Sequence, residues 1–584
     1  RFSANENPFL SPPLSLSLCV CVCVCVCVSF QCPHMFLNSA SRPCKGGGVT
    51  GLRLLQRNPI RMHSSSKGTP LRSKKTASGH RGLTMNEKLI FEQAVPGVSG
   101  VDFPSFTVSD LRVGDASKSP GKKIGWPGLS EGAAMRHYVL LSQKNFCIDS
   151  GLYPLGSCTM KYNPRLNEKV ARLPGLSDVH PLQPPSTVQG ALQCMYLMGQ
   201  WLCRLTGMTN VALSPAAGAH GELCGMMAIA KAIEVRGEKE TRKIVLVPTA
   251  AHGTNPSTAY QIGFDIEIVP TKADGRVNLS ALQNILDEKG PQIAAIMLTN
   301  PNTHGLFERE IIGIAEAIRE AGGYFYCDGA NFNALLGRVK VSDLGVDCMH
   351  INLHKTFSTP HGGGGPGSGP VVFNERLAPY APLPHVINDH GRYRLIEFPE
   401  EGQENTIGKL RAHAGQMGMW IRALAFSMAH GVDGLRQSSG DAVLNANYLL
   451  ARLRHLMTPA FSPRRCMHEV LFHDAYLAKT GVTTMDMAKS LIDEGFHPPT
   501  VYWPLTVQGA MLMEPTENES IHTLDRFVET LESLVEKAKS GEHVQEFQEA
   551  PIFTPIRRAD EALAAKKPIL RWTPPQEPAA PAAE

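Results

Sequence analysis

The sequence predicts an α/β protein, with a large domain built on a mainly parallel sheet and a smaller α+β domain after it. Four short apolar runs have the length and composition of buried strands, and segments of helical periodicity separate them. Continuous apolar strands that alternate with helices are typical of a parallel sheet covered on both faces. Strands are predicted at 243–248, 293–298, 324–328 and 371–374, with helices at 280–289 and 310–321.

The order of these patterns along the 584 residues predicts the domain organisation, since such a length is enough for two or three domains. The stretch before the first strand is rich in proline and glycine, which indicates an extended arm with short helices. Long amphipathic helices at 441–456 and 524–539 indicate a change of architecture towards the end. The predicted parts are the arm at 85–190, the large domain at 191–430, the small C-terminal domain at 431–572 and a flexible tail at 573–584.

Residues 1–84 differ in character from everything that follows. Ser-Leu occurs twice and Cys-Val five times in succession at 15–28, which is what TC and TG dinucleotide repeats encode. We therefore interpret 1–84 as a disordered or artefactual extension and expect the protein to start at Met85. The alternative concerns residues 41–84, which are rich in Arg, Lys and Ser and contain no acid. That composition is typical of a transit peptide and would imply a mitochondrial location.

The charge and the cysteines of the remainder exclude several classes of function. Residues 1–84 carry eleven of the 57 basic residues and one of the 53 acidic ones, which leaves 46 basic and 52 acidic residues in the rest. A mildly acidic body does not favour nucleic acid or membrane as a partner. The eight cysteines after residue 85 are scattered and show no CxxC spacing. This pattern suits reduced thiols, and we expect a cytoplasmic protein.

One lysine and one aspartate are the strongest candidates for chemistry. Lys355 follows an apolar run and precedes a loop too rich in glycine to form a helix. Burial favours the neutral amine of a lysine, which can condense with a carbonyl group. Asp328 ends another apolar run, 27 residues earlier. An acid and a lysine at two strand ends are how a sheet presents pyridoxal 5'-phosphate (PLP): the acid pairs with the pyridinium nitrogen and the lysine forms the Schiff base.

Seven segments of the chain resemble the glycine dehydrogenase (decarboxylating) family, the P-protein of the glycine cleavage system. The likeness is greatest to its separate C-terminal half, subunit 2, and it extends from about residue 85 to 572. The resemblance implies a fold type I PLP-dependent transferase-like large domain. The segments are YPLGSCTMKYNPR (153–165), AGAHGE (217–222), AHGTNP (251–256), NPNT (300–303), INLHKTFSTPHGGGGPGSGP (351–370), FHPPT (496–500) and EPTE (514–517).

The resemblance also implies roles for single residues around the cofactor. Lys355 and Asp328 keep the roles described above. His252 resembles the histidine that stacks on the cofactor ring in related decarboxylases, where it could also act as a general acid. A purely structural histidine is the alternative for this position.

Five further residues are implied in binding the cofactor. Gly218 and Ala219 open a predicted helix, whose free N–H groups would cradle the phosphate with help from the Thr356 hydroxyl. An ordinary loop-to-helix turn is the alternative. Asn300 and Thr303 would reach the edge of the ring or the substrate, and they could equally be turn residues.

The activity implied by the resemblance is the decarboxylation of glycine, with transfer of the aminomethyl group to the lipoyl group of H-protein. The implied partners are glycine, lipoylated H-protein and glycine dehydrogenase subunit 1, in an α2β2 heterotetramer. Another fold type I PLP decarboxylase or aminotransferase is an alternative function. A non-catalytic partner subunit is a third, and the presence of Lys355 counts against it.

Two other motifs are weaker than they look. Gly362-x-Gly364-x-x-Gly367 has the spacing of a dinucleotide fingerprint, but Pro366 and Pro370 forbid the helix that should follow. We therefore do not expect NAD. His350, His354 and His361 lie close together in sequence, but no carboxylate or cysteine completes a metal site at ligand spacing.

Overall fold

A computed structural model describes residues 88–100, 126–180, 183–362, 367–461 and 465–573. The predicted extension at 1–84 lies outside these ranges, as does the predicted tail after Thr573. The centre of the glycine run, including Gly364 and Pro366, lies outside them as well.

A seven-stranded sheet forms the centre of the protein, with the strand order β1-β7-β6-β5-β4-β2-β3. Strands β3, β2, β4, β5 and β6 are parallel, and β7 pairs antiparallel with both of its neighbours. The predicted mainly parallel sheet is therefore confirmed. The strands are β1 (Asn210–Ala212), β2 (Ile244–Pro248), β3 (Asp265–Val269), β4 (Ile293–Thr299), β5 (Tyr324–Gly329), β6 (Cys348–Ile351) and β7 (Val371–Phe373).

Two apolar clusters cover the opposite faces of this sheet. Alternate side chains of a strand point to opposite faces, so Ile296 and Leu298 of β4 join one cluster while Ala295 and Met297 join the other. Every residue of β4 is buried, which explains its unbroken apolar sequence. The first cluster packs helices Gln189–Thr206, Leu279–Lys289 and Ile311–Glu320 against the sheet, and the second packs Gly218–Val235 and Thr254–Ile262.

A long helix and a second sheet follow the large sheet in the chain. The helix, Met417–Leu453, is interrupted at Gly431, whose φ of 62° is not helical. The second sheet is antiparallel, with strands Thr458–Pro459, Val470–His473, Met511–Met513 and Thr500–Val501 in that order. Helices Thr484–Asp493, Ile521–Ser540, Val544–Glu549 and Glu561–Lys566 accompany it. The residues that begin and end each predicted domain remain predictions.

The segment before the large sheet is mostly irregular. Its helices are Glu131–Gln143, Arg165–Ala171 and Pro174–Ser177, with 3-10 turns at Ile90–Gln93 and Pro185–Thr187. Between them the chain reaches the second sheet, because Leu155 bridges Met513 and the Gly156 N–H donates to the Leu512 carbonyl at 3.3 Å. Residues 153–161 are thereby held against the C-terminal part of the chain.

The remaining elements are short. A two-stranded hairpin pairs His385–Asp389 with Arg392–Ile396, and a one-turn helix spans Leu353–Thr356. Further 3-10 turns are Gly290–Gln292, Phe332–Ala334, Val341–Leu344, Ala378–Tyr380 and Asp474–Leu477. Within the described ranges, each helix is too short or too polar to span a bilayer.

Candidate active site

The carboxyl ends of parallel strands meet at one edge of a sheet, and there the chain places most of its chemistry-bearing residues. Asp328 lies near the end of β5 and is only 2% exposed. Lys355 follows the neighbouring strand β6 and lies in the one-turn helix Leu353–Thr356, which ends before the glycine-rich segment. The two groups are close enough for the charge of Lys355 to lower the pKa of Asp328. The structure therefore brings the predicted acid and lysine together.

Several donors surround the Asp328 carboxylate. Oδ1 accepts the Ala330 N–H at 2.9 Å and lies 3.4 Å from His350 Nε2, and Oδ2 accepts from Asn255 Nδ2 at 3.2 Å. Burial by itself raises the pKa of Asp328. The interaction with His350 and the Ala330 hydrogen bond outweigh burial, and the pKa of Asp328 lies below its ordinary value, with Lys355 contributing further. The carboxylate is therefore charged at neutral pH.

A second buried acid lies next to Asp328. The Asn255 amide donates to Glu222 Oε2 at 3.0 Å as well as to Asp328, so one NH2 group links both carboxyl groups. Burial, and then the charge of Asp328, raise the pKa of Glu222. Glu222 therefore favours its protonated form beside the charged Asp328. Glu222 and Asn255 lie in two of the segments that resemble the family, but the sequence alone assigned them no role.

His252 lies in the loop after β2 and connects to this pair. Its Nδ1 is 2.8 Å from the Thr254 hydroxyl, which donates to Glu222 Oε1 at 2.7 Å. Its ring also lies edge-on to Trp503, with centroids 5.3 Å apart. His252, Thr254, Glu222 and Asn255 thus form one hydrogen-bonded chain that ends at Asp328.

The predicted phosphate cradle is the start of helix Gly218–Val235. No side chain caps this helix at Ala217, so its first N–H groups stay available, and Ala219 is exposed in the first turn. Glycine is needed at 218 because a Cβ there would lie 2.5 Å from Asn352 Nδ2. Glycine is also needed further on: a Cβ at Gly369 would collide with the Ala217 carbonyl.

Two buried hydroxyl groups suit an anionic ligand. Thr356 Oγ1 and Ser214 Oγ are buried and have no hydrogen-bond partner among the described residues. A buried hydroxyl without a partner is costly, and phosphate oxygens would accept from both. Together with the uncapped helix, these donors fit the phosphate group of PLP.

The side chains of Asn300 and Thr303 form hydrogen bonds with nearby backbone groups. The Asn300 side chain accepts the Glu308 N–H at 2.9 Å, and the Thr303 hydroxyl donates to the Ala250 carbonyl at 2.6 Å. Both residues are buried. These contacts are those of turn residues, and contact with the cofactor remains a prediction for both.

A third part of the chain reaches the site from the arm. The Lys355 Nζ donates to the Ser157 carbonyl at 2.9 Å. Lys161 Nζ donates to the Thr356 carbonyl at 2.9 Å and forms an ion pair with Glu517 at 2.6 Å. Ser157, Lys161 and Glu517 lie in segments that resemble the family. The sequence did not predict their contacts with Lys355 and Thr356, because residue spacing gives no information about contacts between distant parts of the chain.

The cradle geometry predicts the effect of Gly218→Ala. The added methyl group would push Asn352 away and disturb its contact with His350, at about 1–3 kcal/mol, the usual cost of forcing a methyl group into a packed site. We expect PLP to bind about ten-fold or more weakly, as measured by equilibrium dialysis. Gly313→Ala is the control, since a Cβ there meets nothing within 4 Å. Equal PLP affinity in both variants would contradict the assignment of the cradle.

Two protein-family models match the chain. Glycine dehydrogenase, C-terminal domain, matches residues 438–553. Aminotransferase class-V matches residues 220–364, which contain both Asp328 and Lys355. Among solved structures, glycine decarboxylase (P-protein) of the glycine cleavage system, in inhibitor-bound form, is similar with a TM-score of 0.60 and 20% identity, over 74% of this chain and 100% of that one. This likeness confirms the predicted fold class.

Curated relatives match over a greater length. A protein of Caulobacter vibrioides, described as probable glycine dehydrogenase (decarboxylating) subunit 2, is 57% identical over 503 residues, which are 85% of this chain and 94% of the relative. A protein of Caldanaerobacter subterraneus subsp. tengcongensis with the same description is 46% identical over 488 residues, or 83% of this chain and 98% of the relative.

Proposed function

Because the chain belongs to the family of glycine dehydrogenase (decarboxylating) subunit 2, we propose that it is a PLP enzyme that decarboxylates glycine and passes the aminomethyl group to the lipoyl group of H-protein. The observation that carries the proposal is the pair formed by Lys355 and the charged Asp328 at neighbouring strand ends. Family membership points to glycine as the substrate.

The predicted cofactor is consistent with both family models. When bound, PLP supplies an electron-accepting ring that stabilises the carbanion left by loss of CO2. Lys355 would hold the cofactor covalently. Thr356 and the helix start at Gly218 and Ala219 would bind its phosphate.

Asp328 and His252 have separate tasks in this proposal. Asp328 keeps a proton on the ring nitrogen, and its charge is maintained by Ala330 and Asn255. His252 would cover one face of the ring and hold a proton near the reacting carbon. Its connection to Glu222 through Thr254 fixes the orientation of the imidazole.

Two alternative functions share part of this evidence. The Aminotransferase class-V match shows that the segment with Asp328 and Lys355 is common to aminotransferases, so this pair alone does not separate glycine decarboxylation from transamination. The 57% identity to a subunit 2 relative, over 94% of the length of that relative, favours glycine decarboxylation. A non-catalytic subunit would have no need of Lys355.

The partners belong to the proposal as well. The description of the relatives as subunit 2 implies a subunit 1. We propose that the two chains form an α2β2 assembly, because PLP enzymes of this fold pack across a two-fold axis. Lipoylated H-protein would be the acceptor of the aminomethyl group.

Lys355→Ala tests the covalent attachment. The unchanged protein should be yellow with PLP, and borohydride should fix the cofactor to the peptide that contains residue 355. The variant should show neither effect, because no amine is left to bond to the cofactor. Peptide mapping by mass spectrometry makes the measurement, with Lys231→Ala as the control lysine on helix Gly218–Val235. A fixed label on another lysine of the unchanged protein would refute the assignment.

Asp328→Asn tests the charge at the ring nitrogen. A neutral amide cannot hold the pyridinium proton, so PLP should still bind while glycine–CO2 exchange falls by about 10²- to 10³-fold. Asp347→Asn is the matched control: Asp347 is equally buried, but it accepts from Arg376 and the Phe325 N–H away from Lys355. It should lower stability and leave turnover per bound cofactor close to normal. Unchanged exchange in Asp328→Asn would exclude the proposed role.

Reconstitution tests the partners. The chain alone should bind PLP but exchange glycine carboxylate with CO2 slowly, since we propose that the second subunit completes the assembly. Adding subunit 1 and lipoylated H-protein should restore exchange, and sedimentation should show an α2β2 complex. Full exchange by the isolated chain, with no gain from the partner, would argue against the two-subunit proposal.

A further inference from the structure

The carbonyl oxygen that accepts a hydrogen bond from Lys355 belongs to a loop with a strained backbone. The Lys355 Nζ donates to the Ser157 carbonyl at 2.9 Å. Ser157 and Thr159 have φ values of 68° and 48°, in the left-handed region that side chains other than glycine disfavour. Such a backbone persists only when its surroundings hold it in place.

Two buried glutamates hold this loop. The Ser157 N–H donates to Glu469 Oε2 at 2.7 Å. The Thr159 N–H donates to Glu514 Oε2 at 2.9 Å, and the Thr159 hydroxyl donates to Glu514 Oε1 at 2.6 Å. Both glutamates are fully buried. They flank the paired strands Val470–His473 and Met511–Met513, so the second sheet fixes them side by side.

The two acids are not equivalent. Glu514 also accepts from Asn333 Nδ2 at 3.2 Å, and three donors on its two oxygens suit an ionised carboxylate. Glu469 receives the Ser157 N–H on Oε2, and its Oε1 has no partner among the described residues. Burial, and then the charge of Glu514, raise the pKa of Glu469 well above its ordinary value. Glu469 is therefore the protonated member of the pair.

A metal site is the alternative interpretation of the cluster formed by His468, Glu469 and Glu514. The ligand atoms of these three residues lie close enough together to hold a metal ion. His468 Nε2 is 3.9 Å from Glu514 Oε1 and 4.0 Å from Glu469 Oε1. However, Thr159 and Asn333 already donate to Glu514 Oε1, which occupies both of its lone pairs. The hydrogen bonds favour a support for the loop over a metal centre.

We propose that the Ser157 carbonyl is the resting site of the Lys355 amine whenever that amine is not joined to the cofactor. Glu469 and Glu514 are positioning residues that hold the loop in the conformation this requires. The inference rests on the proposed function, in which Lys355 carries PLP.

The Ser157 carbonyl affects the equilibrium between the free Lys355 amine and Lys355 joined to the cofactor. Glycine would free the lysine by replacing it: the carbon–nitrogen double bond to Lys355 would be exchanged for one to the glycine nitrogen, and the two protons of the glycine amine would pass to the lysine nitrogen. The Ser157 carbonyl stabilises only the freed amine. The amine is free both before PLP has bound and after glycine has replaced it, so loss of the loop conformation should weaken glycine binding and strengthen PLP binding. A general structural defect would weaken both.

The experiment compares glycine and PLP affinities in the assembled, PLP-loaded enzyme. Glycine is titrated by the change in cofactor absorbance, and PLP affinity is measured without glycine by equilibrium dialysis. Glu514→Gln puts an amide NH2 donor in place of one of the two oxygens that accept from Thr159, and glycine affinity should fall about ten-fold, the effect of one lost hydrogen bond. Glu469→Ala should cause a similar fall, and Glu469→Gln should recover most of the loss because an amide resembles a protonated acid. PLP affinity should rise in the variants that lose glycine affinity, by up to about ten-fold.

Two controls keep the test decisive if a glutamate variant fails to fold. Asp486→Asn alters a buried carboxylate that caps helix Thr484–Asp493, away from the loop, and should leave glycine affinity unchanged. Thr159→Val removes the hydroxyl donor to Glu514 while Thr159→Ser retains it, so only the valine variant should bind glycine more weakly.

Each contrary result has its own meaning. Normal glycine affinity in Thr159→Val and Glu514→Gln overturns the inference and leaves the proposed function standing. Parallel losses of glycine and PLP affinity overturn it in favour of a structural role. One metal ion per chain, lost in Glu469→Ala, overturns it in favour of a metal centre. No absorbance response to glycine in the unchanged enzyme overturns the proposed function together with it.

Discussion

The buried negative charge of Asp328 is the constraint on which the arrangement around β5 depends. An ionised carboxylate away from water is costly unless donors surround it. Those donors come from separate elements: Asn255 from helix Thr254–Ile262, His350 from β6 and the Ala330 N–H from the turn after β5. Each element must keep its position for the carboxylate to stay charged. The charge of Asp328 and the packing of the sheet edge are therefore one requirement.

The chain contains two pairs of adjacent buried acids, and in each pair the pKa of one acid is raised. Asp328 is charged beside Glu222, whose pKa burial raises, and Glu514 lies in the same way beside Glu469. Burial raises the pKa of Glu222 and that of Glu469, whereas His350 and the Ala330 N–H lower the pKa of Asp328, and three donors surround the Glu514 carboxylate. The charge of Lys355 lowers the pKa of Asp328 and opposes the rise at Glu469, so the amine interacts with both pairs. Because Lys355 interacts with both pairs of acids, it has a favourable electrostatic partner whether or not it is joined to a cofactor.

The sequence predicted the parts of this fold whose signal is local. Strand β4 was predicted to within one residue, because a strand buried on both faces is apolar throughout. Strand β3 was missed, since its DIEIV sequence alternates at a sheet edge, and β1 was missed because it has only three residues. Lys355 and Asp328 were identified from a motif. The contact of Ser157 with Lys355 joins residues 198 apart, and no periodicity carries that information.

The candidate site draws on three regions of the chain. The segment shared with Aminotransferase class-V, 220–364, contains the acid and the lysine. Outside it lie the arm loop with Ser157 and the C-terminal residues Glu469 and Glu514, within reach of Lys355 through hydrogen bonds. The start of helix Gly218–Val235 lies just before the shared segment. The arm and the C-terminal part therefore add to the shared segment a backbone carbonyl that accepts from Lys355 and two glutamates that hold its loop.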